Sequence, residues 1–256
     1  MSFTIAVAGK GGTGKTTLAA LLIRQLIKSG RKPVLAADAD ANANLNEALG
    51  IKVSDQTISS KIPRINSSLE PLPAGMTRER YLAYCVHQSL AEGDDFDLLV
   101  MGGPQGQGCY CYVNNLLRNF IQQLSSNYPY IVMDNEAGME HLSRQTTDNV
   151  DILFITSDAT VRGIRSAKRI KELVVNLNLA VRNMYLIINR VAGDFGELLK
   201  EEIAKTGLKL IGTIPEDEQV IDFDLVGRPI FELPDESPVV RAVSEIMSKT
   251  KIIEEP

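Results

Sequence analysis

One stretch of nine residues constrains this chain more than any other: Gly9-Lys10-Gly11-Gly12-Thr13-Gly14-Lys15-Thr16-Thr17. The apolar run Phe3-Thr4-Ile5-Ala6-Val7-Ala8 precedes it, and Leu18-Ala19-Ala20-Leu21-Leu22-Ile23 follows. That arrangement predicts a strand, a glycine-rich turn and a helix start. The spacing G-x-x-x-x-G-K-[ST] is met by Gly9, Gly14, Lys15 and Thr16. In such a loop, backbone N–H groups close around phosphate oxygens, and the positive end of the helix adds to the attraction. Lys15 is expected to reach the β- and γ-phosphates, and the Thr16 hydroxyl to hold Mg²⁺. The whole stretch, Gly9 to Thr17, is therefore expected to bind nucleotide.

Strand-like and helix-like segments alternate along the rest of the chain. Strands are predicted at 33–37, 96–101, 130–134, 151–156, 184–188 and 208–215. Helices are predicted at 18–29, around 45–49, and at 78–90, 113–124 and 162–177. Val239, Val240, Val243, Ile246 and Met247 repeat at helical spacing and predict one more. No internal repeat, low-complexity tract or interdomain linker interrupts the pattern. The 256 residues are expected to form one α/β domain, 1–256.

Ligands of such sheets gather at the carboxyl ends of the strands, so the residues found there carry chemical meaning. The strand at 33–37 runs into Asp38-Ala39-Asp40. Asp38 is a candidate for a Mg²⁺-bound water, and Asp40 for orienting or deprotonating the attacking water. The alternative for either is a cap on the helix around Leu45. Asp134 ends the strand at 130–134 and is the candidate to hold a Mg²⁺ water opposite Thr16. Asn189-Arg190 ends the strand at 184–188. Guanine-specific proteins of this type read N-K-x-D there, and Asn189-Arg190-Val191-Ala192 lacks that carboxylate. ATP is favoured, with Asn189 and Arg190 as candidates to contact adenine.

Three cysteines, two of them one residue apart, do not make a disulfide scaffold. Cys85 is expected to be a small core residue. Cys109-Tyr110-Cys111 follows the glycine-rich run 102–108. Two thiols at i and i+2 ligate a soft cation as thiolates but make half a tetrahedral site, which a two-fold dimer axis completes. The alternative is a pair of thiols packing at a helix start. Thiolates accept both Ni²⁺ and Zn²⁺.

The net charge of −5 argues against a nucleic-acid partner. No apolar run approaches the roughly 18 residues that span a bilayer, and the acidic tail Ile252-Ile253-Glu254-Glu255-Pro256 does not suit a membrane surface. A cytoplasmic protein is expected.

The second lysine of the loop, Lys10, points to a family. K-G-G-x-G-K-T-T resembles the deviant phosphate loop shared by cell-division and plasmid-partition ATPases, nitrogenase iron protein and nickel-insertion ATPases. The segment Asp134-Asn135-Glu136-Ala137-Gly138-Met139-Glu140-His141 is similar to the second switch of the nickel-insertion branch, and Pro215-Glu216 resembles the family's base-binding loop. Together with Cys109-Tyr110-Cys111, these features look like the CooC-type ATPases that mature carbon monoxide dehydrogenase, and the related factor for acetyl-CoA synthase. The resemblance spans nearly the whole chain.

It implies a P-loop NTPase fold with a mostly parallel central sheet and helices on both faces. It implies Mg²⁺-dependent ATP hydrolysis in a nucleotide-sandwiched homodimer, with Lys10 reaching the partner's nucleotide. Lys10, Lys15 and Asp40 are then the catalytic residues. Gly138 would swing toward the γ-phosphate, and one Ni²⁺ or Zn²⁺ would sit between two C-x-C pairs for delivery to a nickel enzyme. His141 is a ligand or a packing residue. Thr13 stands where the family usually has valine, which is expected to change little because the backbone makes the contact. Two other functions stay open. An iron–sulfur electron carrier would place a cysteine in the segment after Asp134, where this chain has none. A positioning ATPase would need no C-x-C.

Overall fold

The strand that leads into the phosphate loop, β1 (Phe3–Gly9), is apolar on both faces, and the structure buries it on both. The computed structural model describes residues 2–53, 57–61, 75–102, 110–135, 149–250 and 252. Within them β1 is joined by β2 (Val34–Ala39), β3 (Leu90–Glu92), β4 (Phe96–Val100), β5 (Tyr130–Asn135), β6 (Val150–Asp158), β7 (Val181–Val191) and β8 (Lys209–Pro215). They form a single sheet in the order β3-β4-β2-β5-β1-β6-β7-β8. Every pairing is parallel except β3 with β4. The α/β architecture with a mostly parallel central sheet is as expected.

Strand side chains alternate between faces, and the alternation sorts the core into two layers. Ile5, Val7, Val34, Ala36 and Val132 belong to one layer, while Ala6, Ala8, Leu35, Ala37 and Met133 belong to the other. The first layer is closed by α1 (Lys15–Lys28) and the last helix, α9 (Pro238–Lys249). The second is closed by α5 (Tyr110–Leu124) and α6 (Val161–Asn176). Leu18 to Ile23 of α1 are at most 1% exposed, so the helix that follows the loop is anchored along its first half. Arg24 ties α1 to the C-terminal region, with Nη2 donating to the Leu233 carbonyl at 2.6 Å and to Asp235 at 2.8 Å.

Several boundaries differ from the sequence reading. α1 begins at Lys15 rather than Leu18, directly after Gly14, whose left-handed conformation glycine adopts without steric cost. The helix expected at 78–90 is α4 (Arg78–Ser89); Leu90 leaves it to pair with Leu99 in β3. α5 starts at Tyr110, three residues before Val113, so Cys111 lies in its first turn instead of preceding it. Two further helices, α7 (Glu197–Thr206) and α8 (Glu218–Val226), have no counterpart in the reading above. The short helices α2 (Leu45–Leu49) and α3 (Ile58–Lys61) complete the α-helices among the described residues. Cys85 is buried, as expected of a core thiol. Cys109, Gly138 and His141 lie outside the described residues. Among the described residues, no helix is long and apolar enough to cross a membrane.

Candidate nucleotide site

The register of the sheet brings the candidate residues to one edge. Asp38 of β2 lies opposite Asp134 of β5, Gly9 of β1 opposite Thr156 of β6, and Asp158 of β6 opposite Asn189 of β7. All are at the carboxyl ends of parallel strands, where a ligand is expected.

The loop between β1 and α1 is shaped by two glycines. A Cβ on Gly9 would lie 2.3 Å from the Thr156 hydroxyl and 2.7 Å from that of Thr13. Gly14 has φ +82°, and a Cβ there would lie 2.1 Å from Asn189 Nδ2. Neither position admits a side chain without moving its neighbours. Thr13 is 2% exposed, and its hydroxyl donates to the Lys10 carbonyl at 2.8 Å and lies 2.8 Å from the hydroxyl of Thr156. The Thr13 side chain therefore takes part in the loop's own hydrogen bonding, which the sequence did not signal. Lys10 and Gly11 are exposed at the loop's outer side, whereas Lys15, the first residue of α1, is 8% exposed.

Beside the loop stand three carboxylates in different settings. Thr16 donates its hydroxyl to Asp134 Oδ2 at 2.6 Å, and Asp134 Oδ1 is buried with no hydrogen-bond partner among the described residues. Burial pushes the Asp134 carboxyl up to about 6, against the Thr16 hydroxyl and the Lys15 charge, which lower it. Asp38 is fully buried and accepts from the backbone N–H groups of Leu45 at 2.9 Å and Asp40 at 3.0 Å. Burial pushes it up to about 7; the Leu45 N–H opposes the rise and the neighbouring Asp134 adds to it. Asp38 thus also caps α2, the structural role weighed against chemistry in the sequence reading. Asp40 is half-buried, and its Oδ1 accepts from the Asn42 N–H at 2.8 Å.

These residues fit a magnesium nucleotide. A buried carboxylate oxygen without a donor, beside a threonine hydroxyl, leaves a lone pair that a hard cation satisfies. Thr16 and Asp134 are the residues that would hold it.

A cavity of about 330 Å³ opens next to the loop, lined in part by Gly14, Thr17, Asn189, Arg190, Pro215 and Glu216. The four residues expected to contact the base are thus gathered in one place, adjoining the phosphate loop. Arg190 is exposed, with a left-handed φ of +56°. Asn189 has a second engagement that the sequence did not signal. Its Nδ2 donates to the Thr13 carbonyl at 2.9 Å and its Oδ1 accepts from the Arg190 N–H at 2.9 Å. Asn189 therefore grips the phosphate loop while lining the cavity. Thr156 was also missed; its one sequence signal is a hydroxyl at the end of an apolar strand.

Among the described residues, no group of three or more His, Cys, Asp and Glu side chains could hold a metal ion. Cys109 lies outside them, and Cys111 is placed only as a residue of α5.

Comparison with known proteins agrees with the nucleotide reading. Residues 4–230 match the family model described as the CobQ/CobB/MinD/ParA nucleotide binding domain. An ATP-binding protein of Methanocaldococcus jannaschii is 42% identical over 96% of this chain and 97% of its own. The carbon monoxide dehydrogenase accessory protein CooC of Rhodospirillum rubrum is 30% identical over 93% of this chain and 91% of its own. The cell-division protein MinD of Aquifex aeolicus has a similar solved structure, with TM-score 0.69 and 26% identity over 100% of this chain and 99% of that one.

Proposed function

Because the chain belongs to the CobQ/CobB/MinD/ParA nucleotide-binding family, we propose that it is a Mg²⁺-dependent ATPase that works as a cytoplasmic homodimer and delivers nickel to an acceptor enzyme, a carbon monoxide dehydrogenase or an acetyl-CoA synthase. The nucleotide half of this reading is carried by Asp134, whose buried Oδ1, unpartnered among the described residues, stands beside the Thr16 hydroxyl at the foot of the loop. The cargo half is supported by Cys109-Tyr110-Cys111 and by the likeness to the Rhodospirillum accessory protein.

Lys15 holds its charge against the β- and γ-phosphates of its own subunit's nucleotide. Lys10, exposed on the outer side of the loop, meets the partner's. Thr16 and Asp134 would hold magnesium, which would supply positive charge to neutralise the phosphates. Asp40 orients the water that attacks the γ-phosphorus, with the bond to the β-bridging oxygen breaking. Asp38 holds Asp40 in place through the Asp40 N–H. Asn189, Arg190, Pro215 and Glu216 enclose the adenine.

Asp40→Asn should keep nucleotide binding and dimerisation but slow hydrolysis by about 10² or more, because a water-positioning group acts in the transition state. Single-turnover kinetics on Asp38→Asn and Asp40→Asn checks this. If the first is the slow variant and the second near normal, Asp40 is not the water-orienting residue.

Two thiolates per subunit make four around one ion when a two-fold axis joins them. The cargo reading is tested by anaerobic purification, absorbance, and titration with Ni²⁺ or Zn²⁺ over a range of protein concentrations. Thiolate-to-nickel charge transfer and one ion per dimer, both lost in Cys109→Ser, are the expected results. One ion per monomer, or unchanged binding in that variant, rejects the shared site.

A second reading, a MinD-like positioning ATPase, is favoured by the full-length likeness to the Aquifex protein. It predicts ATP-dependent dimers with no bound metal.

A further inference from the structure

The hydroxyl pair behind the loop has a proton count that fixes its direction. Each threonine hydroxyl has one hydrogen to donate. Thr13 gives its own to the Lys10 carbonyl at 2.8 Å, so the hydrogen between the two hydroxyls, also 2.8 Å apart, comes from Thr156. The approach of Thr156 Oγ1 to the Ala8 carbonyl, 3.3 Å, is then the weaker alternative. The chain runs from Thr156 through Thr13 to the Lys10 carbonyl, wholly behind the loop, since Thr13 and Thr156 are each 2% exposed. The missing Cβ of Gly9 is what leaves room for it.

We propose that the Thr156–Thr13 relay is a positioning device that locks the Lys10–Gly11 peptide plane, and with it the direction in which Lys10 leaves the loop. The peptide is planar and trans, so a carbonyl pinned toward β6 points the Gly11 N–H the opposite way, toward the exposed side. Without the Thr13 hydroxyl, the Lys10 carbonyl keeps, among the described residues, only the Thr13 N–H, at 3.3 Å. Two glycines follow Lys10, and glycine resists a plane rotation least. Asn189 holds the carbonyl of Thr13, and the relay holds the other side of the turn, at the Lys10 carbonyl. Thr13 and Thr156 are positioning residues, acting through Lys10.

This inference rests on the reading that Lys10 acts on the partner's nucleotide. Its test is a set of variants measured for kcat, KM, nucleotide-dependent dimerisation and melting temperature. Thr13→Val fills nearly the same space, and Thr156 can turn to the Ala8 carbonyl, so the variant should fold. Its kcat should fall about tenfold, the loss of one buried hydrogen bond to the reacting geometry, with KM changed less than threefold. Thr13→Ser should restore turnover, and Thr156→Val should lower kcat less than Thr13→Val, because Thr13 keeps its own bond to the Lys10 carbonyl. In a Lys10→Ala background, Thr13→Val should add no further loss, because coupled sites are not additive. Lys10→Ala inactive with Thr13→Val fully active overturns the relay alone. A loss that adds in full to that of Lys10→Ala does the same. Lys10→Ala with normal turnover overturns the reading of Lys10, and the relay's role with it.

Discussion

Lys15→Ala should weaken nucleotide binding by about a hundredfold or more, while Lys10→Ala should leave affinity within about threefold and lower turnover by about 10³. The first figure follows from losing charge-assisted hydrogen bonds to phosphate, about 1.5–3 kcal/mol each. The second takes the range observed for a cation supplied in trans to a developing phosphoryl charge. The contrast has a structural basis. Lys15 is 8% exposed as the first residue of α1, and its charge already acts on Asp134. Lys10 is exposed and has no place in the interior of its own subunit. Fluorescent-nucleotide titration, and sedimentation with a non-hydrolysable ATP analogue, separate the two. A Lys10→Ala protein that still dimerises and turns over contradicts the trans role.

Asp134→Asn should produce an apoprotein that is more stable at pH 8 yet unable to use Mg²⁺. The Asp134 carboxyl is raised from 3.8 to about 6 in the fold, and Asp38 from 3.8 to about 7. A group raised on folding contributes stability that is fully present below its unfolded pKa and is lost as pH rises through the folded value. The apoprotein should therefore lose stability between about pH 4 and pH 7 on account of these two carboxyls. Asparagine stays neutral and still accepts the Thr16 hydroxyl. At pH 8 the variant should gain about 2 kcal/mol, from a shift of roughly two pKa units at 1.4 kcal/mol each, reduced for a partly shared site. That corresponds to about 5 °C in melting temperature for a chain of this size. Wild-type protein should recover the difference on adding Mg²⁺ and nucleotide, and the variant should not. Thermal melts from pH 4 to 8, with and without Mg²⁺-nucleotide, check this. A variant that melts lower than wild type at pH 8, or still gains stability from Mg²⁺, contradicts the placement of the cation.

The parts of this molecule that could be read from sequence are those where chemistry is local. Gly9 to Thr17, flanked by β1 and α1, announces itself within some twenty residues, and Asp134 does so as the carboxylate closing an apolar strand. Elements whose stability comes from distant partners were not legible. α8 carries Val220, Ile221, Phe223, Leu225 and Val226 without a clean stripe, and Ile221, Leu225 and Val226 are more than half exposed. Its apolar residues therefore give no helical period to follow. β3 is three residues long and is defined by its antiparallel partner β4. In the site, Asn189 reads from sequence as a contact for the base. Its amide lies on a carbonyl 176 residues earlier in the chain, a link no local pattern encodes. The Thr13–Thr156 pair, 143 residues apart, was illegible for the same reason.

The double engagement of Asn189 limits how this site can be altered. Many nucleotide sites are modular, with one group of residues recognising the base and another the phosphates, so that preference for one base can drift without touching the chemistry. On the proposed reading of the cavity as the base site, that separation fails at Asn189. Any substitution of Asn189 chosen to admit a different base also removes the donor on the Thr13 carbonyl and opens the space that Gly14 leaves for it. On the same proposed reading, base preference is freer to change at Arg190, Pro215 and Glu216, which line the cavity away from the Thr13 carbonyl. A selection for new nucleotide specificity in this scaffold should accumulate changes there and leave Asn189 alone.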